Sequence, residues 1–489
     1  VTDNLASPPR TPGGALLPDS ADLPTVERPA LLLGVIVFGA FVTALTGSVV
    51  GLALPDIARE LRLEATEAAW VQLAFLLAVT VLLLPAGRLG DLVGHGRVYS
   101  AGMLAFGVAS LVCAVAVDAP LLLMARAGQG VAASLVMATS PALVASAMGP
   151  SRRGFALGLM STGTYVGLAL GPPLGGALVG AWGWRAIFWA TTAAAVVSFG
   201  LGLAAMPGSQ RAPRAVRFDP LGSLLLAFTT LLFLLAATRG MAWGWSSAYT
   251  WLTLVAALVS LLWVVRVESR HPAPTLDLSL FRSSVFSTAT AAALLNYVSL
   301  FIVLFMLPFA FRDGQRLAPS QVGLVLGAQA ASMALLSGAS GVLSDRIGSR
   351  GLAVGGMLVL GVSLGCLAWV WPTQGMVVPA LWLFACGAGT GVFITPNSSA
   401  LMGSAPRHQQ GIAGGVMGLA RNFGMSLGVA FGSALLGSAL DHSTTGSWPA
   451  RADRVLATGL AVSAGLALLA AGVVAAGSPR QLSKSSAPK

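Results

Sequence analysis

Charge is what this sequence has least of. Only 9% of its 489 residues are Asp, Glu, Lys or Arg, where a soluble domain carries about 25%. Hydrophobic residues make up 56%, and the mean hydropathy is +0.82. A soluble fold of this size could not cover its surface with so few charges, so most of that surface must face lipid. Cysteine is nearly absent. Cys113, Cys366 and Cys386 fall in separate apolar runs, which excludes a disulfide framework and a cysteine metal site. His95, His271, His408 and His442 lie in scattered polar connections, so no metal or nucleotide site is expected. The sequence has no Walker-type phosphate loop and no Gly-x-Ser-x-Gly elbow, and resembles neither an ATPase nor a hydrolase. It is read as a non-enzyme with no catalytic residues, no metal and no cofactor. The net charge of +11 could suggest nucleic acid, but the basic residues sit in short loops and not on one face, so no nucleic-acid partner is expected.

Long apolar runs are abundant. Spanning a hydrocarbon core of ~30 Å takes roughly 20 apolar residues in a helix. That criterion predicts fourteen helices, near 30–54, 69–90, 98–117, 120–145, 154–181, 185–206, 218–238, 248–267, 284–311, 318–342, 351–371, 376–402, 410–437 and 455–477. Residues 1–29 are Pro-rich and acidic, lack a signal-peptide pattern, and are expected to form a disordered cytoplasmic tail. Residues 478–489 form a second tail. Lys and Arg concentrate on the connections that share a side with both termini, so both ends are expected in the cytoplasm.

The chain repeats itself. Gly87-Arg88-Leu89-Gly90-Asp91-Leu92-Val93-Gly94 reappears as Gly341-Val342-Leu343-Ser344-Asp345-Arg346-Ile347-Gly348, an offset of 254 residues (341 minus 87). Gly154, Ala156, Gly158, Gly167 and Gly171 recur as Gly411, Ala413, Gly415, Gly424 and Gly428, an offset of 257 (411 minus 154). Both copies of the turn must face one side, so an even number of helices separates them. Two six-helix halves need six, and the prediction gives eight, so the segment between Asp219 and Arg266 is read as two inserted helices. The expected organisation is a bundle over 30–206, a linker with the inserted pair over 207–283, and a second bundle over 284–477. Parallel six-helix halves are the major facilitator arrangement.

The motifs carry the same resemblance. The Asp91 and Asp345 turns resemble the paired loop signature of the major facilitator superfamily, and Arg126-Ala127-Gly128-Gln129-Gly130 resembles its fourth-helix signature. Gly163, Gly167, Gly171, Pro172, Gly175 and Gly176 look like the fifth-helix signature of antiporters and exporters. Ala53-Leu54-Pro55, Trp182-Gly183-Trp184-Arg185 and Leu276-Asp277-Leu278-Ser279-Leu280-Phe281 are similar to marks of the fourteen-helix drug:proton antiporter branch. The resemblance implies an all-α polytopic membrane protein of the major facilitator fold in the plasma membrane. It implies a secondary active exporter of small amphiphilic molecules (drug or antibiotic efflux) working by alternating access, and a monomer surrounded by membrane lipid. The alternative is an exporter without proton coupling, or a lipid or amphiphile translocator.

Individual residues sharpen these expectations. The glycines of the fifth helix recur every four residues and permit close helix packing; the resemblance adds that they lie at the seam between halves. Arg126 lies six residues after Pro120, about 9 Å into the membrane at 1.5 Å per residue. A cation there is expected to face a water-filled cavity with Gln129 at i+3, the alternative being that it snorkels or bonds carbonyls inside the bundle. Arg421 is divided between cavity lining and structural pairing. Thr46 stands where the antiporters carry a first-helix acid, and all seventeen acids of the chain lie in tails, loops or helix ends. Proton coupling therefore lacks its usual group, and the cavity of Arg126, Gln129, Thr46, Asn296 and Arg421 is expected to prefer neutral, zwitterionic or anionic amphiphiles, with protons as a further candidate partner. Gln72, Asn296, Tyr297, Gln329, Asn397 and Asn422 either tie helices or touch ligand. In the loops, Gly87, Gly94, Gly341 and Gly348 permit tight turns. Asp91 with Arg97, and Asp345 with Arg346 and Arg350, are expected to latch helix ends. Asp91→Asn is then expected to lower transport at unchanged membrane abundance, measured by flux against immunoblot; undiminished flux removes the latch.

Overall fold

A backbone crossing lipid must satisfy its own N–H and C=O groups, and helices do so within one segment. The computed structural model describes residues 28–148, 153–206, 220–243, 247–269, 277–371, 375–406, 409–440 and 448–477, and helices dominate it. In order they are α1 (Pro29–Leu61), α2 (Ala65–Val93), α3 (His95–Ala114), α4 (Ala119–Ala147), α5 (Arg153–Trp182), α6 (Arg185–Ala205) and α7 (Pro220–Trp243). There follow α8 (Ala248–Glu268), α9 (Ser284–Phe309), α10 (Pro319–Ile347), α11 (Ser349–Val370), α12 (Val377–Ser404), α13 (Gln410–Leu440) and α14 (Trp448–Gly477). Among the described residues thirteen helices are long and apolar enough to cross a membrane. The remaining one, α13, is long enough at 31 residues but is diluted by glycines, Arg421 and Asn422.

All fourteen expected helices are present, and the differences lie at their ends. α1 continues past Pro55 to Leu61, and α10 runs through Asp345 to Ile347. The apolar criterion sees only the part inside lipid, whereas the hydrogen-bond ladder continues into the polar margin. Starts follow local chemistry: Pro29, Pro120 and Pro319 occupy first turns, where a missing N–H costs nothing. Asp118 caps α4 by accepting the Leu121 N–H at 2.9 Å. The expected tails fall outside the described residues.

Helices α1–α6 pack among themselves, as do α9–α14. Two main seams join these groups, α2 against α13 and α5 against α10, and α1 also meets α9 between them. The additional pair α7–α8 is held together by a Thr229–Ser260 hydroxyl bond of 2.6 Å. α7 lies on both α2 and α13, with the Arg239 guanidinium 4.4 Å from the Trp70 ring of α2. α8 is the outermost element: Trp251, Leu252, Leu258, Leu262 and Trp263 are all exposed, as a lipid-facing helix requires. The pair thus covers the α2–α13 seam, and the α5–α10 seam has no such cover among the described residues.

Close backbone approach makes the second seam. A Cβ on Gly176 would lie 2.6 Å from the Pro319 carbonyl and 2.8 Å from Gly323 Cα, and a Cβ on Gly323 would lie 2.7 Å from the Pro172 carbonyl. Gly176→Val is therefore expected to force α5 from α10 and cost ~1–3 kcal/mol. Gly158→Ala, with nothing within 4 Å of its Cβ, is the control and is neutral or slightly stabilising. Melting temperature in detergent checks both; an unshifted Gly176→Val removes the close-packing argument.

Candidate functional site

The α2–α3 and α10–α11 turns share one face of the protein, called here the turn face; the α1–α2 and α9–α10 connections share the far face. At the turn face both copies of the repeat have the same backbone device. Gly94 (φ 106°) and Gly348 (φ 90°) take conformations that L side chains rarely adopt, and each ends one helix and starts the next. Gly87 lies against α4 at Ala138, and Gly341 lies correspondingly against α12, where an added Cβ would lie 3.0 Å from Thr395 Cγ2.

The side chains of the two copies differ. The Asp91 carboxylate pairs with Arg88 at 3.4 Å and with His95 at 3.3 Å. Arg97, its expected partner, is exposed instead, because it lies two residues beyond His95 on another face of α3. Asp345 and Arg346 are exposed, and Arg350 donates to the Ala475 carbonyl of α14. The second turn is thus tied to the last helix by an arginine and not by its aspartate.

On α5, Gly163, Gly167, Gly171 and Gly175 face α1 of the same helix group and not the seam. A Cβ on Gly163 would lie 2.8 Å from the Val37 carbonyl, and one on Gly175 would lie 2.6 Å from Val49 Cγ2. Only Pro172 and Gly176 of that signature reach α10. The stripe holds α1 to α5, and its last turn holds α5 to the other half.

The far face carries ion pairs that join the two helix groups. Arg312, just after α9, donates to Asp56 Oδ1 at the end of α1 and through Nη1 to the Leu317 carbonyl at 2.8 Å. Arg59 reaches the same Asp56 oxygen at 2.8 Å and lies 3.9 Å from Asp313. Asp56 and Arg312 are only 18% and 13% exposed, so solvent screens this pair far less than an ordinary surface bridge. Glu60 accepts from Trp184 Nε1 at 2.7 Å and from Arg185, which fixes the start of α6 to α1. Sequence reasoning missed the Asp56–Arg312 pair, since 256 residues separate its members. The one available signal was an acid and a base placed just beyond the corresponding first helices of the two halves.

Between the groups lies a small, partly open chamber, lined among others by Ser48, Leu168, Tyr297, Phe301, Gln329 and Met333. Its walls come from α1, α5, α9, α10 and α12 and are mostly apolar. Gly424, one turn after Arg421 on α13, packs against α9 at Tyr297, where an added Cβ would lie 3.0 Å from Tyr297 Cβ. Among the described residues no acid stands within ion-pair distance of Arg421. Gln329 is 5% exposed and its Oε1 has no partner among the described residues.

The other expected cavity residues sit off the chamber wall. Arg126 is fully buried inside the first helix group: Nε donates to the Val71 carbonyl at 2.9 Å, and Nη1 donates to Gln129 Oε1. Gln129 in turn donates to Ser110 Oγ at 2.7 Å, and the guanidinium lies 4.5 Å from the Phe75 ring. These carbonyl, amide and ring contacts let Arg126 knit α2, α3 and α4 together without facing water, while its Nη2 has no partner among the described residues. Thr46 is fully buried and donates to the Val42 carbonyl at 2.8 Å, which leaves Ser48 as the hydroxyl on the wall. Asn296 is fully buried next to Tyr297, with neither amide atom paired among the described residues. Asn397 donates to the Ala289 carbonyl at 2.9 Å, tying α12 to α9.

Residues 36–429 match the family described as the Major Facilitator Superfamily. The chain is 29% identical over 413 residues to the riboflavin transporter RibZ of Clostridioides difficile, covering 84% of this chain and 89% of that one. It is 31% identical to the multidrug resistance protein Stp of Mycobacterium tuberculosis (82% of this chain, 74% of that one). It is 28% identical to the tetracenomycin C resistance and export protein of Streptomyces glaucescens (86% and 78%). Its fold matches a bacterial homolog to the human lysosomal transporter Spinster, solved inward-facing and unoccupied, with a TM-score of 0.67 at 14% identity over 92% of this chain and 97% of that one.

Asp56→Asn is expected to loosen the far mouth, because a hydrogen bond between charged groups is worth about 1.5–3 kcal/mol. In that variant, labelling of a Leu304→Cys reporter on the chamber wall by an impermeant thiol reagent on the far side rises about tenfold. An unchanged labelling rate denies the pair any role in closure.

Proposed function

The chain belongs to the Major Facilitator Superfamily, and we propose that it is a secondary active exporter of small amphiphilic molecules working by alternating access. It is a multi-pass membrane transporter and not an enzyme. The observation that carries the export reading is the closed far mouth above an apolar chamber: charges on the ends of two helix groups pair across one face, and a mostly apolar cavity lies between the groups. Charges can part and re-form without breaking either group, which is what a gate needs.

Orientation completes the reading. The basic Arg88, Arg97, Arg346 and Arg350 support a cytoplasmic turn face with both termini on that side, which makes the far mouth the outer one in this reading. The protein sits in the plasma membrane as a monomer, with bundles over 30–206 and 284–477 and the α7–α8 pair between them. Asp91, bonded to Arg88 and His95, latches the inner end of the first bundle. The inner seam between α5 and α10 then admits substrate, since the close glycine contacts of these helices lie on their outer halves, from Pro172 to Gly180 against Pro319 to Gly327. Resistance and export relatives support drug or antibiotic efflux, and the riboflavin transporter widens the substrate range.

Proton antiport is the driving force implied by the family branch. One observation favours a second reading, transport without proton exchange: Thr46 occupies the place of the usual acid and its hydroxyl is spent on its own helix. Energised inverted vesicles separate the two. Accumulation of a fluorescent amphiphile with loss of the pH gradient is the expected outcome. Accumulation at an undiminished gradient supports the second reading, and no accumulation of any amphiphile sinks export itself.

A further inference from the structure

We propose that Arg421 and Tyr297 form an anion subsite at the edge of the chamber, taking the ionised oxygen of an apolar, ring-bearing organic acid. The inference rests on the export reading and narrows its substrate class. Arg421 lies eleven residues after Gln410, the start of α13 (421 minus 410). At 1.5 Å per residue that is about 16 Å along the helix, near the middle of the bilayer. Arginine keeps its proton in proteins, so the charge there is permanent and needs compensation.

The two intramembrane arginines solve this differently. Arg126 is enclosed by the Val71 carbonyl, the Gln129 amide oxygen and the Phe75 ring, with no solvent exposure. Arg421 is partly exposed, and among the described residues it has no ion-pair partner. Its helix passes Tyr297, which lines the chamber: a Cβ on Gly424, one turn beyond Arg421, would lie 3.0 Å from Tyr297 Cβ. An anion placed there meets a guanidinium fork and the Tyr297 phenol.

The rest of the chamber describes the rest of the ligand. Leu168, Phe301, Leu304, Leu326 and Met333 supply apolar walls for a ring system. Gln329 Oε1, unpaired and 5% exposed on that wall, takes one hydroxyl or N–H of the ligand. Among the described residues no carboxylate lines the chamber, so an organic cation finds no partner there and is repelled by Arg421.

The test is binding to the purified full-length protein in lipid nanodiscs, corrected against empty discs. Three probes are compared: 1-anilinonaphthalene-8-sulfonate, its neutral counterpart N-phenyl-1-naphthylamine, and the cation tetraphenylphosphonium. The sulfonate is expected to bind about tenfold or more tighter than the neutral amine, the worth of a hydrogen-bonded charge, with the cation weakest. Arg421→Gln equalises sulfonate and amine while amine affinity holds. Tyr297→Phe, which keeps the ring and removes a donor, lowers sulfonate affinity several-fold and carries the test if Arg421→Gln does not fold. Equal affinities in the wild type, or a sulfonate preference untouched by both substitutions, would overturn the subsite. The export reading fails separately: a sulfonate bound as predicted by a protein whose inverted vesicles accumulate nothing leaves the subsite standing and removes export. Vesicles that accumulate the amine or the cation but neither bind nor carry the sulfonate do the reverse.

Discussion

The structure depends on α5 lying almost backbone to backbone against two helices at once. Its glycines at 163, 167, 171 and 175 receive the main chain of α1, and Gly176 one residue later meets Gly323 of α10. In lipid no hydrophobic force drives helices together, so such close approach is what replaces it. The arrangement makes α1 and α5 one rigid unit whose outer end is also the joint to the other helix group. Everything placed on that unit, including Asp56 at one end and Ser48 on the chamber wall, is carried with it.

A chain with so few charges places each of them with consequence. The far-face cluster pairs Asp56 with Arg312 and sets Arg59 beside Asp313, so acids and bases from both groups interlock where solvent is near. Deeper in, cations stand without acids. Arg126 is held by a carbonyl, an amide and a ring and becomes a structural knot. Arg421 lies one turn from the α13 contact with Tyr297 at the edge of a cavity, which is the difference between a charge that holds a bundle and one that meets a ligand.

How much of this the sequence disclosed follows from the range of each interaction. The fourteen helices were legible because lipid imposes a length and polarity on each segment separately. The paired turns were legible because they repeat, and their positive-φ glycines stand where the repeat put them. The facing of α5 was not: small-residue spacing announces close packing but does not say against what, and the stripe turned toward α1. Arg126 was misplaced for a related reason. Depth along a helix can be counted from Pro120, whereas rotation toward the bundle interior depends on Val71, Phe75 and Ser110 from other helices. The Asp56–Arg312 pair joins residues 256 apart and had no local trace.

The central claim is that the outer mouth and the inner α5–α10 seam open alternately as two rigid groups rock. Paired spin-label distances test it most directly, in protein whose three cysteines are replaced. One pair at Glu67→Cys and Ser320→Cys spans the outer ends of α2 and α10, and the other at Leu159→Cys and Leu335→Cys spans the inner halves of α5 and α10. The account predicts reciprocal changes: conditions that lengthen the outer distance shorten the inner one. Distances that lengthen together, or an outer pair that moves while the inner one stays fixed, contradict it.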